Sequence, residues 1–444
     1  MCAGVVCHAL LLTMIGLFPH CGFLSETSRM LAIHAALRAL GEPVCVATHG
    51  GPWESLLTRA GVDWTQLGPR MDGARCARFI RSLPGIGAPG QSMYSDEEML
   101  VYAQAEAEFM RRRGIRLAVT GFTLTTLLST RLAGIPLAAS HAGSFVPPVF
   151  EAGLLPMPSR YPNAIFHLLP RSLRQRIFNA GPPRSAMYCS GFNRAAQTLG
   201  VEGVPSFAAL LLADLTLVTD LPEILGIDQR TLESWQPRQD RSYRAGTSLR
   251  YTGPLFARLD VPVPQRVEAF VSAGGPFVYV AMTSSPAALV RDVVAAVKPA
   301  GCRVLVAATV HDLGALEGNT VMVEPLLPSH QLMPRAALAV VTGGQGSVQT
   351  AMASGVPMIG IPLQPEQDLN VHCAERQGMA MRLAPDQTRG PAMTQAVRAM
   401  LDAPGYRNQA QRVRALFAQV DGAHNAALAI QRYLAERNNA RAAA

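Results

Sequence analysis

Residues 340–370, VVTGGQGSVQTAMASGVPMIGIPLQPEQDLN, constrain the chain most, because they read as a strand, a glycine turn, a helix, a second strand and a polar turn. An apolar run from Leu338 ends at Val340 and Val341. Gly343, Gly344 and Gly346 form a turn through which backbone can approach a ligand closely, and Ser347 starts a helical stretch that stops at Ser354-Gly355. Free N–H groups and the positive dipole end at such a helix start suit a phosphate or diphosphate. The strand Met358 to Ile361 then delivers Pro362 and a turn, Gln364 to Asp368, to the same carboxyl edge of the sheet. Open α/β sheets bind ligands at that edge.

The rest of the chain repeats the alternation of strand and helix that builds parallel sheets. In the first half, strands are expected at Ala9–Gly16, Val44–Thr48 and Leu117–Thr120, with helices at Glu26–Leu40, Glu97–Arg113 and Leu124–Ala133 and an apolar stretch at Pro136–Ala139. Met30, Ile33 and Leu37 give the first helix one apolar face. In the second half, Phe277–Met282, Arg303–Ala307 and Val321–Val323 read as strands and Ala287–Lys298 as a helix. Between Ser144 and Phe207 the sequence turns Pro- and Arg-rich and departs from regular strand–helix–strand units. The linker between two domains is placed at Pro254 to Ala273, for its turns and prolines.

Length supports more than one core: 444 residues exceed what a single ordinary domain needs. No apolar run reaches membrane-spanning length. Met1 to Phe18 is apolar but lacks a preceding Lys or Arg, so it reads as a first strand, with a signal peptide as the alternative. The 8 Cys are scattered without metal-ligand spacing and suit the reduced, buried thiols of a cytoplasmic protein. The net charge of +8 comes almost wholly from Arg, Lys298 being the only Lys, and no nucleic-acid-binding motif accompanies it. That excess suits attraction of an anionic ligand or a peripheral contact with a membrane surface, and Arg111–Arg113 and Arg171–Arg176 are its densest patches. The plainer reading of each patch is a solvated helix face.

The string from Gly343-Gly344 through Gly355-Val356-Pro357 to Pro362 and Glu366-Gln367 resembles the donor-binding signature of GT-B fold glycosyltransferases. The resemblance is to the family that includes bacterial natural-product and macrolide glycosyltransferases and plant UDP-dependent ones. It implies an α/β architecture of two Rossmann-like doubly wound domains facing a cleft. Residues 1–255 would bind the acceptor, 256–420 the nucleotide sugar, and 421–444 would cross back to the first domain. The glycine turn with Thr342, Gly343, Gly344, Gly346 and Ser347 would hold the diphosphate, Glu366 and Gln367 the sugar hydroxyls, and Thr283 and Ser284 the phosphates as well. The last pair also reads simply as helix caps. Leu326 stands in the loop that walls the nucleotide base, where the family usually has an aromatic. Thr342 stands where the family usually has His, and Thr350 where it usually has a ribose-binding Glu. The second departure resembles bacterial enzymes that use deoxysugars on dTDP.

The resemblance also implies a base at the first strand-to-helix turn, where the family's His falls on Glu26. A carboxylate there can take a proton if burial raises its pKa, and it can equally be a first-turn acid favoured by the dipole. His20 is the rival base. No carboxylate stands near Thr120-Gly121, where one often steadies the family's His, and His141 lies at the same sheet edge. Phe150, Leu154, Leu155, Met157, Phe166, Leu168 and Leu169 would line an apolar acceptor pocket or pack a helical hairpin on its own domain.

The expectation is an inverting glycosyltransferase that moves a sugar from a nucleoside diphosphate donor to a hydroxyl of an apolar small-molecule or lipid-like acceptor. It would use no metal or other cofactor, because backbone N–H groups and a helix dipole take the charge and no DxD-type pair is present. A catalytically inactive nucleotide-binding protein of the same fold and a sugar-nucleotide epimerase are the alternatives.

Overall fold

The computed structural model describes residues 14–83, 91–157, 168–237, 242–283, 285–309 and 311–443. Two parallel sheets organise them. The first contains β1 (Met14–Leu17), β2 (Val44–Thr48), β3 (Trp64–Gln66), β4 (Ile115–Thr120), β5 (Leu137–His141), β6 (Leu215–Val218) and β7 (Ser248–Tyr251). Their spatial order is β3-β2-β1-β4-β5-β6-β7. The second contains β8 (Phe277–Ala281), β9 (Arg303–Ala307), β10 (Val321–Glu324), β11 (Leu338–Val341), β12 (Met358–Gly360) and β13 (Ala380–Arg382), in the order β10-β9-β8-β11-β12-β13. Strands buried on both faces have no polar side to alternate with, so Phe277–Ala281 and Leu338–Val341 read as unbroken apolar runs.

Strand order reverses between β1 and β4 in one sheet and between β8 and β11 in the other. Such switch points open a crevice beyond the carboxyl ends of the strands. The second crevice lies between Thr283 and the glycine turn, and the first lies between the segment after Leu17 and Gly121.

Several expectations are corrected. The turn expected at Gln364 to Asp368 is the start of the helix Pro365–Arg376, with Gln364 as cap and Pro365 at the first helical position, where its missing N–H costs nothing. The first strand occupies Met14–Leu17, and residues 9–13 of the expected span lie outside the described residues. The edge strands β3, β7 and β13, and β6 inside the first sheet, are strands that the sequence reading lacked. The Pro-rich stretch holds the helices Pro147–Glu151, Arg171–Arg184 and Ser190–Leu199. Phe150 and Leu155 are buried in the first domain's core, Leu168 is exposed, and Phe166 lies outside the described residues.

The helix Gly422–Ala443 lies on the first sheet. Ala426, Ala427, Ile430 and Leu434 pack among Ile15, Leu17, Ile33, Leu37, Leu215 and Leu217. Asn425 donates to the Thr252 carbonyl at 3.0 Å and Gln431 to the Glu42 carboxylate at 2.8 Å, fixing the helix along its length.

Candidate active site

The glycine turn follows β11 directly. Gly343 has φ +95°, and a Cβ there would lie 2.6 Å from the Gln367 carbonyl oxygen, so only glycine fits. The Gly343 carbonyl accepts a hydrogen bond from Asn370 Nδ2 at 3.0 Å, and the same amide donates to Glu366 Oε1 at 3.1 Å. Asn370 therefore ties the turn to the acid one helical turn before it. The helix Gln345–Ser354 begins at Gly344 with no side-chain cap, and Gln345, Gly346 and Ser347 are half-exposed; within this turn the Ser347 N–H donates to the Gly344 carbonyl at 3.1 Å and the Gln345 N–H to the Glu366 carboxylate. Thr342 is buried at the end of β11. Gln367 is buried too, and its Oε1 accepts from the Leu363 N–H at 2.9 Å. Burial pushes the Glu366 carboxyl up, against the hydrogen bond from Asn370 and the charge of Arg29.

Thr283 is exposed just beyond β8, across the switch point from the glycine turn, and Ser284 lies outside the described residues. Leu326 is half-buried after β10, ahead of Pro328 and the short helix Ser329–Leu332, whose Ser329 hydroxyl meets the buried Tyr279 hydroxyl at 2.7 Å.

On the opposite wall, Glu26 sits in the first turn of the helix Leu24–Ala39 and is buried. Its Oε1 accepts from the N–H groups of Gly121 at 2.8 Å and Phe122 at 3.0 Å, while Oε2 is buried with no hydrogen-bond partner. Arg29 Nη2 lies 4.0 Å from that free oxygen. Burial pushes the Glu26 carboxyl up, and Arg29, the two N–H groups and the His20 backbone oppose it. A Cβ at Gly121 would fall 1.7 Å from Oε2, so the acid occupies the space that a side chain at 121 would need.

His20 is buried between Phe23 and Phe79. Its Nδ1 accepts from the Gly22 N–H at 3.2 Å, so the neutral ring carries its proton on Nε2, which is buried without a partner. Burial lowers its pKa to about 3. His141, at the end of β5, donates from Nδ1 to the Ala142 carbonyl at 3.0 Å, and burial with the charge of Arg29 lowers its pKa to about 4. Both rings are neutral near pH 7.

Four further residues that sequence reading missed join the walls. Arg29, mostly buried, donates to the Ser140 carbonyl at 3.1 Å, and its charge reaches Glu26, Asp220 and Glu366. Asp220, just beyond β6, accepts from the Gly143 N–H at 2.6 Å and from Gln349 Nε2 at 3.3 Å. Gln345 donates to the Thr219 hydroxyl at 2.7 Å, and Gln349 also donates to the Thr219 carbonyl. Two glutamines of the glycine-turn helix thus reach the first domain. A Cβ at Gly346 would sit 3.5 Å from Ser25, so the first turns of two helices meet across the cleft. Their positive ends favour an anion between them.

Residues 291–420 match the family "Erythromycin biosynthesis protein CIII-like, C-terminal domain". The chain is 25% identical over 334 residues to a PGL/p-HBAD biosynthesis glycosyltransferase of Mycobacterium tuberculosis, covering 74% of this chain and 73% of that one. It is 24% identical over 328 residues to a PGL/p-HBAD biosynthesis rhamnosyltransferase of Mycobacterium bovis, covering 73% and 68%. Among solved structures, the spinosyn forosaminyltransferase SpnP superposes with TM-score 0.65 at 14% identity, over 95% of this chain and 99% of that one. The glycosyltransferase VinC, in complex with dTDP, gives 0.59 at 15% identity, over 96% and 100%. These structural likenesses give the fold, two doubly wound domains in the GT-B arrangement.

Proposed function

We infer that this chain is a GT-B glycosyltransferase, resembling the natural-product and glycolipid enzymes, that transfers a sugar from a nucleoside diphosphate to a hydroxyl of an apolar acceptor. The observation that carries the reading is the meeting of an uncapped helix N-terminus behind a glycine turn with a buried carboxylate, on facing walls of one cleft. The first suits a leaving diphosphate and the second a proton acceptor.

Glu26 is our candidate base. Its free Oε2 is the lone pair available to an acceptor hydroxyl, whereas the Nδ1 lone pair of His20 already faces the Gly22 N–H. As the acceptor oxygen bonds to the anomeric carbon, its proton passes to Oε2, the bond to the diphosphate breaks, and that oxygen leaves with the electron pair. The backbone N–H groups of Gly344 and Gly346 and the helix dipole would hold the developing charge. Glu366, oriented by Asn370, would accept hydrogen bonds from sugar hydroxyls; we assign Gln367 beside it to the same sugar. Direct displacement by a single acceptor gives inversion, and no step calls on a metal. Relatives named for PGL/p-HBAD biosynthesis support an apolar or lipid-like acceptor, and the dTDP complex of VinC supports a nucleoside diphosphate donor.

The test is thermal stabilisation by UDP, dTDP and GDP and their sugars, followed by turnover with apolar phenolic and polyketide acceptors. A nucleotide at about a hundred times its Kd adds roughly 2.7 kcal/mol. Stabilisation by one nucleotide class, with nucleotide release only in the presence of an acceptor, is expected. Binding without turnover on any acceptor would make this a nucleotide-binding protein, and release without acceptor would favour epimerisation.

A further inference from the structure

Four of the five large apolar side chains that stand exposed among the described residues fall between positions 168 and 187. Leu168 is 83% exposed, Met187 46%, and Leu173 and Ile177 42% each. The same stretch carries Arg171, Arg174, Arg176 and Arg184 and contains no Asp or Glu before Glu202. Arg171 and Arg176 are exposed, and Arg174 is half-buried with its Nε held by no hydrogen bond.

The helix Arg171–Arg184 explains how these side chains come to share a surface. Its inner edge is tied down: Asn179 accepts from the Leu155 N–H at 3.0 Å and donates to the Leu155 carbonyl at 3.1 Å, and Gln175 donates to the Gly153 carbonyl at 3.0 Å. With that edge fixed, Leu173 and Ile177, four residues apart, stand one above the other on the outer face, with Arg176 beside them. The helix also packs on Pro147–Glu151, which leaves the same sheet edge as His141. The exposed face therefore belongs to the subdomain at the acceptor side of the cleft.

We propose that this face docks on an anionic phospholipid bilayer, presenting the cleft to an acceptor held in or near the membrane. Apolar side chains ringed by cations and free of acids match such a surface in both terms, since the aliphatic groups enter the headgroup boundary while the guanidinium groups meet lipid phosphates. A protein partner of matching shape would need acidic groups to complement the same arginines, and a second copy of this face would set like charges against one another. The inference rests on the apolar acceptor of the functional reading but is tested without any acceptor.

The full chain would be sedimented with phosphatidylcholine vesicles, with and without phosphatidylglycerol. Binding to the anionic vesicles alone, weakened by added salt, is expected. Arg176→Gln should weaken it roughly fivefold, the effect of one basic residue at an anionic surface, and Leu173→Ser with Ile177→Ser should abolish it. All substituted positions are exposed or at the surface, and thermal unfolding of each variant checks that the fold is kept. Absence of binding to anionic vesicles, or binding that neither variant changes, overturns the proposal. So does a dimer in solution that Leu173→Ser with Ile177→Ser dissolves, because the face would then be a protein interface. Nucleotide stabilisation, measured on the same samples, reports on the donor site separately.

Discussion

Glu26 and Gly121 form a matched pair: the acid reaches over the strand end because residue 121 has no side chain, and two backbone N–H groups then hold one carboxylate oxygen while the other stays free. Glu26→Gln should leave nucleotide stabilisation unchanged and lower kcat by about 10²–10⁴-fold, the usual contribution of a general base. A base works only when deprotonated, and burial holds this carboxyl above the ordinary range, so kcat/KM should fall on the acid side with a midpoint above the usual glutamate value of about 4.3. Removing the cation that opposes burial, with Arg29→Gln, should move that midpoint higher still; a pH–rate profile that stays put would mean that Glu26 is not the titrating group. Gly121→Ala should act like a partial loss of Glu26, because the new methyl group displaces its carboxylate. Glu26 could be found by counting back from Gly41 along a resemblance. Arg29 and Asp220 could not, since they lie far apart in sequence and meet only where two sheets face each other.

Among the elements, the glycine turn and the helix behind it were the most legible, because a conformation that excludes side chains and an abrupt change of period both leave a mark on sequence. A glycine-to-alanine change at a compatible site stabilises by up to ~1 kcal/mol, whereas Gly343→Ala is expected to destabilise the chain by more than that, given the positive φ and the 2.6 Å approach to Gln367. It should also remove nucleotide stabilisation, measurable in the same melting experiment. Asn370 was missed although it lies four residues beyond Glu366, since its role is to join a helix to a turn brought close by the fold. The strands β3, β6, β7 and β13 escaped notice because three or four residues carry too little period to register. The helix Pro365–Arg376 passed for a turn because Pro, Gln, Glu and Asp mark turns and helix starts alike.

At the scale of the whole molecule, two sheets are joined by side chains that cross the cleft and by a last helix that returns to the first sheet. Ile430 is fully buried there among Ile15, Leu217 and Ile33, so Ile430→Ala should cost about 2–5 kcal/mol, read from denaturant unfolding. The His49–Glu106 hydrogen bond, at 3.1 Å within the same domain, is buried with Thr125 bonded to the acid, and Glu106→Ala should cost ~1–3 kcal/mol by leaving the imidazole without its partner. Gln349→Ala removes a buried cross-domain donor to Asp220 and to the Thr219 carbonyl and should lower the unfolding midpoint, at a cost of about 1–3 kcal/mol for acceptors left without their partner. Among the described residues no helix is long and apolar enough to cross a membrane.

The sequence by itself determined the parallel α/β architecture, the place of the glycine turn and the acid at the first helix start. Each of these is written in local chemistry: apolar runs too long to alternate, glycines where side chains clash, an acid at a dipole's positive end. The tertiary structure alone decided which groups face one another across the cleft. Glu26 faces the backbone after β4, Arg29 lies within reach of three carboxylates from both domains, and Gln345 and Gln349 meet Thr219 and Asp220. Most of those contacts depend on the distance and angle between elements 95 or more residues apart, and packing of the two cores sets that geometry.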